Sequence, residues 1–412
     1  MTNRKFQISN PPSPHRPVPL SPPSSLIPMS SPEHVELGQR LTAEILAPMK
    51  AAFVGKDEII DLLGISLVAG EHLFLLGPPG TAKSALVQDL ARRIHGRVFD
   101  YLLTRFTEPN ELFGPFDIRK LREGDLVTNT EGMLPEASLV FLDELLNANS
   151  AILNSLLMVL NERVFRRGRE TRLLPLLMVV SASNRLPEDD ALGALFDRFL
   201  LRVRCDNVAP ERLADVLEAG WKLDLPQAEP AAVFDIEDIR RLNRMLAEVD
   251  LGTVRTAYVE LVHRLRHAGI PISDRRAVKL QRLLGASALL CGRLAVNASD
   301  LWVLRYIWDT EEQQEVLASI VQDAIDRSGA EHEASHPRAQ GGDAPDPECL
   351  ARDLQHIAQR AAGGDLPATE KSYLKDRLGL LAARCQWVKD PQQREFLEQQ
   401  VEALWKPLGV AM

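Results

Sequence analysis

Cysteine is scarce and scattered. Cys205, Cys291, Cys349 and Cys385 include no C-x-x-C pair, which excludes a disulfide framework and a thiolate zinc site of ordinary spacing and leaves reduced, partly buried thiols. No run approaches the roughly 18 apolar residues a membrane-spanning helix needs, and the start of the chain lacks a charged-then-apolar leader pattern. The expectation is a cytoplasmic protein with no membrane insertion. Positive charge is in deficit, with a net charge of −9 and a pI near 5.6. The basic runs are not interleaved with aromatics, so a chain whose main work is to coat nucleic acid is disfavoured.

The first stretch lacks acidic residues altogether. Residues 1–32 hold nine of the 27 prolines, with Ser interleaved and three basic residues, a composition unable to bury a core. The prediction is a disordered Pro-rich tail. The remainder is different: 45% of the 412 residues are hydrophobic, ample for a sizeable core and an appendage.

What organises the chain is Leu73-Phe74-Leu75-Leu76-Gly77-Pro78-Pro79-Gly80-Thr81-Ala82-Lys83-Ser84. Four apolar residues read as a buried parallel strand, and Ser84 to Arg93 has apolar positions at helical spacing, so a Gly/Pro loop joins strand end to helix start. Such a loop would cradle a triphosphate, the alternative being a Gly/Pro turn that happens to precede Lys-Ser. In a cradle, the loop N–H groups and the helix N-terminus face the β-phosphate, Lys83 spans the β and γ phosphates, and the Ser84 hydroxyl ligates Mg²⁺. Ala82 departs from the G-x-x-x-x-G-K-[ST] pattern, standing where the second Gly normally does. It is tolerated if the backbone there is right-handed and disfavoured if φ is positive.

Upstream, Val35, Leu37, Leu41, Ile45, Leu46, Met49 and Phe53 mark one amphipathic helix from Glu33 that ends at Val54-Gly55-Lys56, and Asp57 to Ala69 forms a second. Val54 and Gly55 either line an adenine with their backbone or merely stop the helix. Downstream, Arg97 to Leu103 is the next strand. Apolar positions on either side of Arg122-Glu123-Gly124-Asp125 predict a projecting β-hairpin at 116–131, the alternative being an ordinary surface loop.

Ser138-Leu139-Val140-Phe141-Leu142-Asp143-Glu144 ends a buried strand in two carboxylates, at the edge of a parallel sheet where ligands bind. Asp143 would hold Mg²⁺, and Glu144 would orient and deprotonate an attacking water. A helix from Asn149 to Asn161 follows. Arg163 to Leu173 then places Gly168 between two basic runs and reads as a second hairpin, or as a solvated turn. Leu176 to Ala182 is another buried strand, ending at Ser183-Asn184-Arg185, where Asn184 either positions the water beside Glu144 or simply terminates the strand. Arg198, in Leu195-Phe196-Asp197-Arg198-Phe199, either points into a neighbour's site or pairs with Asp197.

In this order the residues over about 35–325 resemble an AAA+ ATPase, most closely the MoxR family and its RavA-like branch. Gly77 to Ser84, Val140 to Glu144, Ser183 to Arg185, Leu195 to Phe199 and Ile272-Ser273-Asp274-Arg275-Arg276 carry the likeness. It implies that Lys83 and Ser84 are Walker A, Asp143 and Glu144 Walker B, Asn184 sensor 1, Arg198 an arginine finger, and Arg275 sensor 2 with Arg276 as the alternative. The fold it implies is α/β: an AAA+ P-loop core at 33–208 with a parallel sheet flanked by helices, an all-α lid at 209–326, a linker at 327–348 and a small helical segment at 349–412. Both hairpins would face a ring pore, and the lid would bring Arg275 to the γ-phosphate by folding over the nucleotide. Trp387 and Trp405 would pack back on the lid. By resemblance the activity is ATP hydrolysis with Mg²⁺ in a ring of identical chains, a hexamer. It would remodel a protein client beside a partner with a VWA domain. The alternative is a nucleic-acid motor of helicase or loader type, for which the basic hairpin is the best support.

Overall fold

The computed structural model describes residues 32–123, 127–167, 170–187, 190–208, 210–224, 234–328, 335–339 and 391–405, with scattered positions between 350 and 385. Apart from Pro32, the predicted tail lies outside them.

Five parallel strands form the central sheet: β1 (His72–Leu76), β2 (Val98–Leu102), β3 (Leu139–Asp143), β6 (Met178–Ser183) and β7 (Phe199–Arg204), in the order β2-β3-β6-β1-β7. Every residue of β1 and β6 is buried, which is why both read as apolar runs rather than alternating ones. All five strands therefore end at one edge, and the loops after β1, β3 and β6 emerge side by side. The strands β4 (Val164–Arg167) and β5 (Glu170–Leu173) make a separate antiparallel hairpin.

Helix α1 (Pro32–Arg40) runs through a wider turn at Leu41–Leu46 into α2 (Ala47–Ala52), so the predicted first helix is one continuous rod. Next come α3 (Asp57–Ala69) and α4 (Lys83–Arg93). From Ile59 to Ala69 α3 is buried on all sides, because the sheet covers one face and the lid another. Shorter helices α5 (Pro109–Phe113) and α6 (Ile118–Arg122) precede β3, α7 (Ser150–Glu162) follows it, and α8 (Asp190–Phe196) precedes β7. The Asn149 side chain caps α7 by accepting from the amides of Ala151 and Ile152.

Beyond the core lie α9 (Leu213–Asp224), α10 (Ile236–Met245), α11 (Arg255–His267), α12 (Asp274–Leu290), a 3₁₀ stretch at Ala298–Tyr306 and α13 (Gln313–Arg327). Ion pairs fix the lid to the start of the sheet. Lys279 Nζ lies 2.8 Å from Glu71 Oε2, Arg282 donates to the Ala69 carbonyl, and Arg202 Nη1 lies 2.6 Å from Asp309 Oδ1.

Three features differ from the reading of the sequence. Segment 116–131 is not a regular hairpin: Phe116 and Thr128 form one antiparallel bridge, and α6 occupies one arm. Within the stretch read as a linker, residues 335–339 are anchored; His336 stacks on Trp302 at 4.6 Å between ring centres, and Arg338 Nε donates to Asp61 Oδ2 at 2.5 Å. The C-terminal helices, ending in α14 (Pro391–Trp405), build their own small core from residues such as Leu354, Leu378, Leu397 and Val401. Trp405 packs there and not on the lid. Trp387 lies outside the described residues.

Candidate active site

The loop between β1 and α4 is shaped by two glycines. Gly77 donates to the Ser183 carbonyl at 3.0 Å, and a Cβ at Gly77 would stand 2.2 Å from the Cys205 carbonyl oxygen, so no side chain fits. Gly80 has φ of 82° and open space around it. Cys205 closes the floor, its amide donating to the Leu76 carbonyl at 2.8 Å and its thiol to the Thr81 carbonyl at 3.4 Å. Ala82 caps α4 with φ 66° and ψ 23°, in the left-handed region. The unfavourable alternative for Ala thus holds, and its Cβ costs roughly 1 kcal/mol against glycine.

Lys83 is buried, 7% exposed, and its ammonium donates to the carbonyls of Gly77 at 3.0 Å and Pro78 at 2.7 Å. Its charge is thereby held inside the loop. Thr81 Oγ1 also donates to Pro78 at 3.0 Å. Val54 and Gly55 are brought beside this loop by the segment after β7: Lys56 Nζ donates to the Asp206 carbonyl at 2.5 Å, and Gly55, at φ 72°, lies against the Val208 side chain.

Asp143 ends β3, and its Oδ1 accepts from the Glu144 amide at 3.0 Å. Glu144 itself has φ 53°, an uncommon conformation for a residue with a Cβ and of the kind stored at functional sites. Burial and the neighbouring Asp143 carboxylate raise its pKa above the ordinary value, while Lys83 and Arg185 pull it down. Lys83 opens α4 after β1, Asp143 and Glu144 stand at the end of β3, and Arg185 follows β6, so the four stand along one edge of the sheet. Asn147 bridges two of them, donating to Glu144 Oε2 at 3.3 Å and accepting from Arg185 Nη2 at 3.3 Å. Neither Asn147 nor Arg185 was assigned a role from the sequence. The spacing of Asn147 to Glu144 in a single tight turn was the available signal. Asn184 follows β6, whose neighbours are β1 and β3, so it emerges exposed between the loops that follow those two strands.

The cluster fits a magnesium nucleotide. Ser84, in the first turn of α4, and Asp143, at the end of β3, offer oxygen ligands at the same edge of the sheet, and among the described residues no group of three or more His, Cys, Asp or Glu could cage a metal alone. That donor set suits Mg²⁺ carried in on phosphates.

Arg198 and Arg275 lie elsewhere. They line a crevice with Asp197, Leu200, Ser273, Arg276 and Lys279, at the sheet edge where β1 and β7 begin. Arg198 Nη1 lies 2.9 Å from Asp197 Oδ2, and Arg275 is exposed. The lid does not carry Arg275 to its own chain's phosphate loop, because α12 is fixed at the strand starts by Glu71 and Ala69. Arg276 is buried, and its two terminal nitrogens are engaged, donating to Asp309 at 3.1 Å and to the carbonyls of Pro271 and Ile307.

The hairpin arginines are engaged within the protein as well. Arg167 stacks over Phe116 at 3.9 Å and donates to the Gly114 carbonyl, Arg172 donates to Thr130 Oγ1, and Arg166 pairs with Glu162. Among the described residues, Arg167 and Arg172 tie the hairpin to the segment around Gly114, Phe116 and Thr130.

Residues 39–244 match the MoxR domain of the MoxR-vWA-beta-propeller ternary systems, and residues 251–321 match the AAA lid domain. The chain belongs to the MoxR family of AAA+ ATPases. An uncharacterized protein of Methanocaldococcus jannaschii is 35% identical over 279 residues, covering 67% of this chain and 74% of that protein. Chaperone MoxR1 of Mycobacterium tuberculosis is 25% identical over 221 residues, 53% of this chain and 56% of that one. The crystal structure of a candidate ATPase from Cytophaga hutchinsonii superposes with a TM-score of 0.60 at 19% identity, covering 72% of this chain and 97% of the other, a likeness of fold. This MoxR-family chain carries no described helix long and apolar enough to cross a membrane.

Proposed function

We propose that this protein hydrolyses ATP with Mg²⁺ in a ring of its own copies, a hexamer, and uses the cycle as a chaperone-like remodeller of a protein client with a VWA-domain partner. The observation that carries the reading is the clustering of buried Lys83 with Asp143 and Glu144 at one strand edge. Lys83 would hold the β and γ phosphates and Glu144 would take the proton of the attacking water, with Asn184 and the Asn147–Arg185 pair fixing where that water stands. Mg²⁺ held by Ser84 and Asp143 would neutralise charge developing on the transferred phosphoryl group. Val54 and Gly55 would line the base.

The split between the two edges supports arginines supplied in trans. Arg198 and Arg275 are too far from their own phosphate loop: the five residues of β1 alone span about 17 Å at about 3.3 Å per residue. We assign sensor 2 to Arg275 rather than Arg276, whose guanidinium secures the lid. The finer placement in a RavA-like branch belongs to this proposal. The MoxR-vWA system of the matched family and the chaperone among the relatives support the partner and the output.

The test is Glu144→Gln. It should retain ATP at near wild-type affinity and lose hydrolysis, and the trapped protein should hold its client and a VWA-domain protein through purification. Unchanged phosphate release would overturn the role of Glu144.

A further inference from the structure

Among the described residues, helix α9 bears an apolar stripe that nothing covers. Leu213, Leu217 and Trp221, spaced four residues apart and so on one face, are 54%, 66% and 72% exposed, and Gly220 beside them borders open space. Large apolar side chains aligned in this way mark an interaction surface, unlike singly scattered ones. The polar side chains of the helix neutralise one another, Lys222 with Glu218 at 2.7 Å and Arg212 with Asp215 at 3.8 Å. The stripe therefore selects for an apolar counterpart, not a charged one.

Its place in the fold says which counterpart. The helix follows the segment 205–208 that floors the phosphate loop and packs beside α2, so it borders the nucleotide cleft. That cleft lacks the arginines that Arg198 and Arg275 would supply from another copy. On α12, Val278 lies one turn beyond Arg275 on the same exposed face and is itself 65% exposed. An edge bearing two arginines and an exposed valine must arrive where a cleft bordered by an exposed apolar stripe is waiting. Head-to-tail contacts of this kind use two different patches of one chain and close into a ring where the rotation between copies closes.

We propose that the Leu213–Leu217–Trp221 stripe is the seat for the α12 face of the next copy, with Val278 packed into it, and that this contact sets Arg275 and Arg198 of that copy at the cleft. The inference rests on the ring reading above and adds the surface that holds the ring together. A buried tryptophan at such a centre typically carries a large share of the binding energy.

The experiment is sedimentation of the full-length protein with Mg²⁺ and a slowly hydrolysed ATP analogue, comparing wild type, Trp221→Glu, Trp221→Phe, Val278→Glu and Arg198→Ala. All three substituted positions are exposed or half-buried, and circular dichroism checks that each of the four variants is folded. Trp221→Glu and Val278→Glu should each weaken assembly by about 30-fold or more, bind a fluorescent nucleotide as wild type does, and lose hydrolysis. Trp221→Phe should assemble. Mixing the two Glu variants should restore dimers, since each retains the patch the other has lost. Arg198→Ala should assemble fully and fail only in hydrolysis. Wild-type protein that stays monomeric with nucleotide would remove the ring reading itself. Trp221→Glu assembling as well as wild type would remove only the seat, and would do so whether or not that variant had lost binding to some other partner.

Discussion

Arg198 and Arg275 share one crevice at the edge where β1 and β7 begin, whereas Lys83 sits beyond the edge where β1 ends. Both arginines stand at the opposite end of the sheet from the phosphate cradle of their own chain, yet both are cations beside which the described surface offers Asp197 as a counter-charge. On the proposed reading, a monomer built this way would hold half of a catalytic site at each end.

Complementation between two dead variants follows. Arg198→Ala and Glu144→Gln should each reduce turnover by about 10³ or more while binding ATP. A mixture should recover activity, because a chain with Glu144 intact can meet a neighbour with Arg198 intact. A mixture no more active than its parts would show that the arginine acts within its own chain. Arg275→Ala should behave as Arg198→Ala does in the same assay.

The acid limb of kcat/KM should lie above the ordinary carboxylate value. Burial and Asp143 raise the pKa of Glu144, so the base is protonated, and activity falls, at a higher pH than for a free side chain. Arg185 opposes that rise. Arg185→Ala should therefore move the limb further upward, and Arg185→Lys should largely restore it. A limb that ignores Arg185 would place the titration on another group.

Much of this geometry was legible in the residues, and the exceptions share a cause. Strands β1, β3 and β6 announced themselves as apolar runs because both faces of a covered parallel sheet are buried. The bounds of α3 were read as they stand, since Gly70 in the left-handed conformation stops the helix where the periodicity ends. What the sequence does not display is pairing over long separations. Lys279 with Glu71 and Arg202 with Asp309 decide where the lid rests, and neither pair leaves a local signature. Arg275 and Arg276 are adjacent and alike in sequence, but successive helical positions differ by about 100°, so one faces solvent and the other is locked to Asp309. The partners of the basic hairpin are equally invisible in the sequence, Arg166 pairing with Glu162 and Arg167 lying over the ring of Phe116.

The phosphate loop carries a removable strain. Ala82→Gly relieves a positive φ at the cap of α4 and should stabilise the protein by about 0.5–1 kcal/mol, the relief being partly offset by the greater freedom of glycine in the unfolded chain. Gly77→Ala acts oppositely, since its Cβ must displace the Cys205 carbonyl from 2.2 Å, and should abolish nucleotide binding. Denaturant midpoints and fluorescent-nucleotide titrations would distinguish the two. If Ala82→Gly were destabilising, the left-handed assignment at position 82 would be wrong.

Asp309 is the single carboxylate between two buried guanidinium groups. Arg202 is 0% exposed and lies 2.6 Å from it, Arg276 is 5% exposed and lies 3.1 Å from it, and burial with the Arg276 charge pushes the pKa of Arg202 down to about 9. Asp309→Ala leaves two cations facing each other in a dry site and should destabilise the junction of lid and core by about 3 kcal/mol. Asp309→Asn keeps an acceptor and should cost less. Because Arg276 begins the helix that also bears Arg275, a partly loosened junction should lower kcat with little change in the affinity of the chain's own phosphate loop. Denaturation followed at the buried Trp302 and Trp308 reads the first effect, and steady-state kinetics at a pH well below 9 reads the second. Equal stability of Asp309→Ala and wild type would show that the carbonyls of Phe196, Ile307 and Trp308, which also accept from Arg202, suffice to hold it.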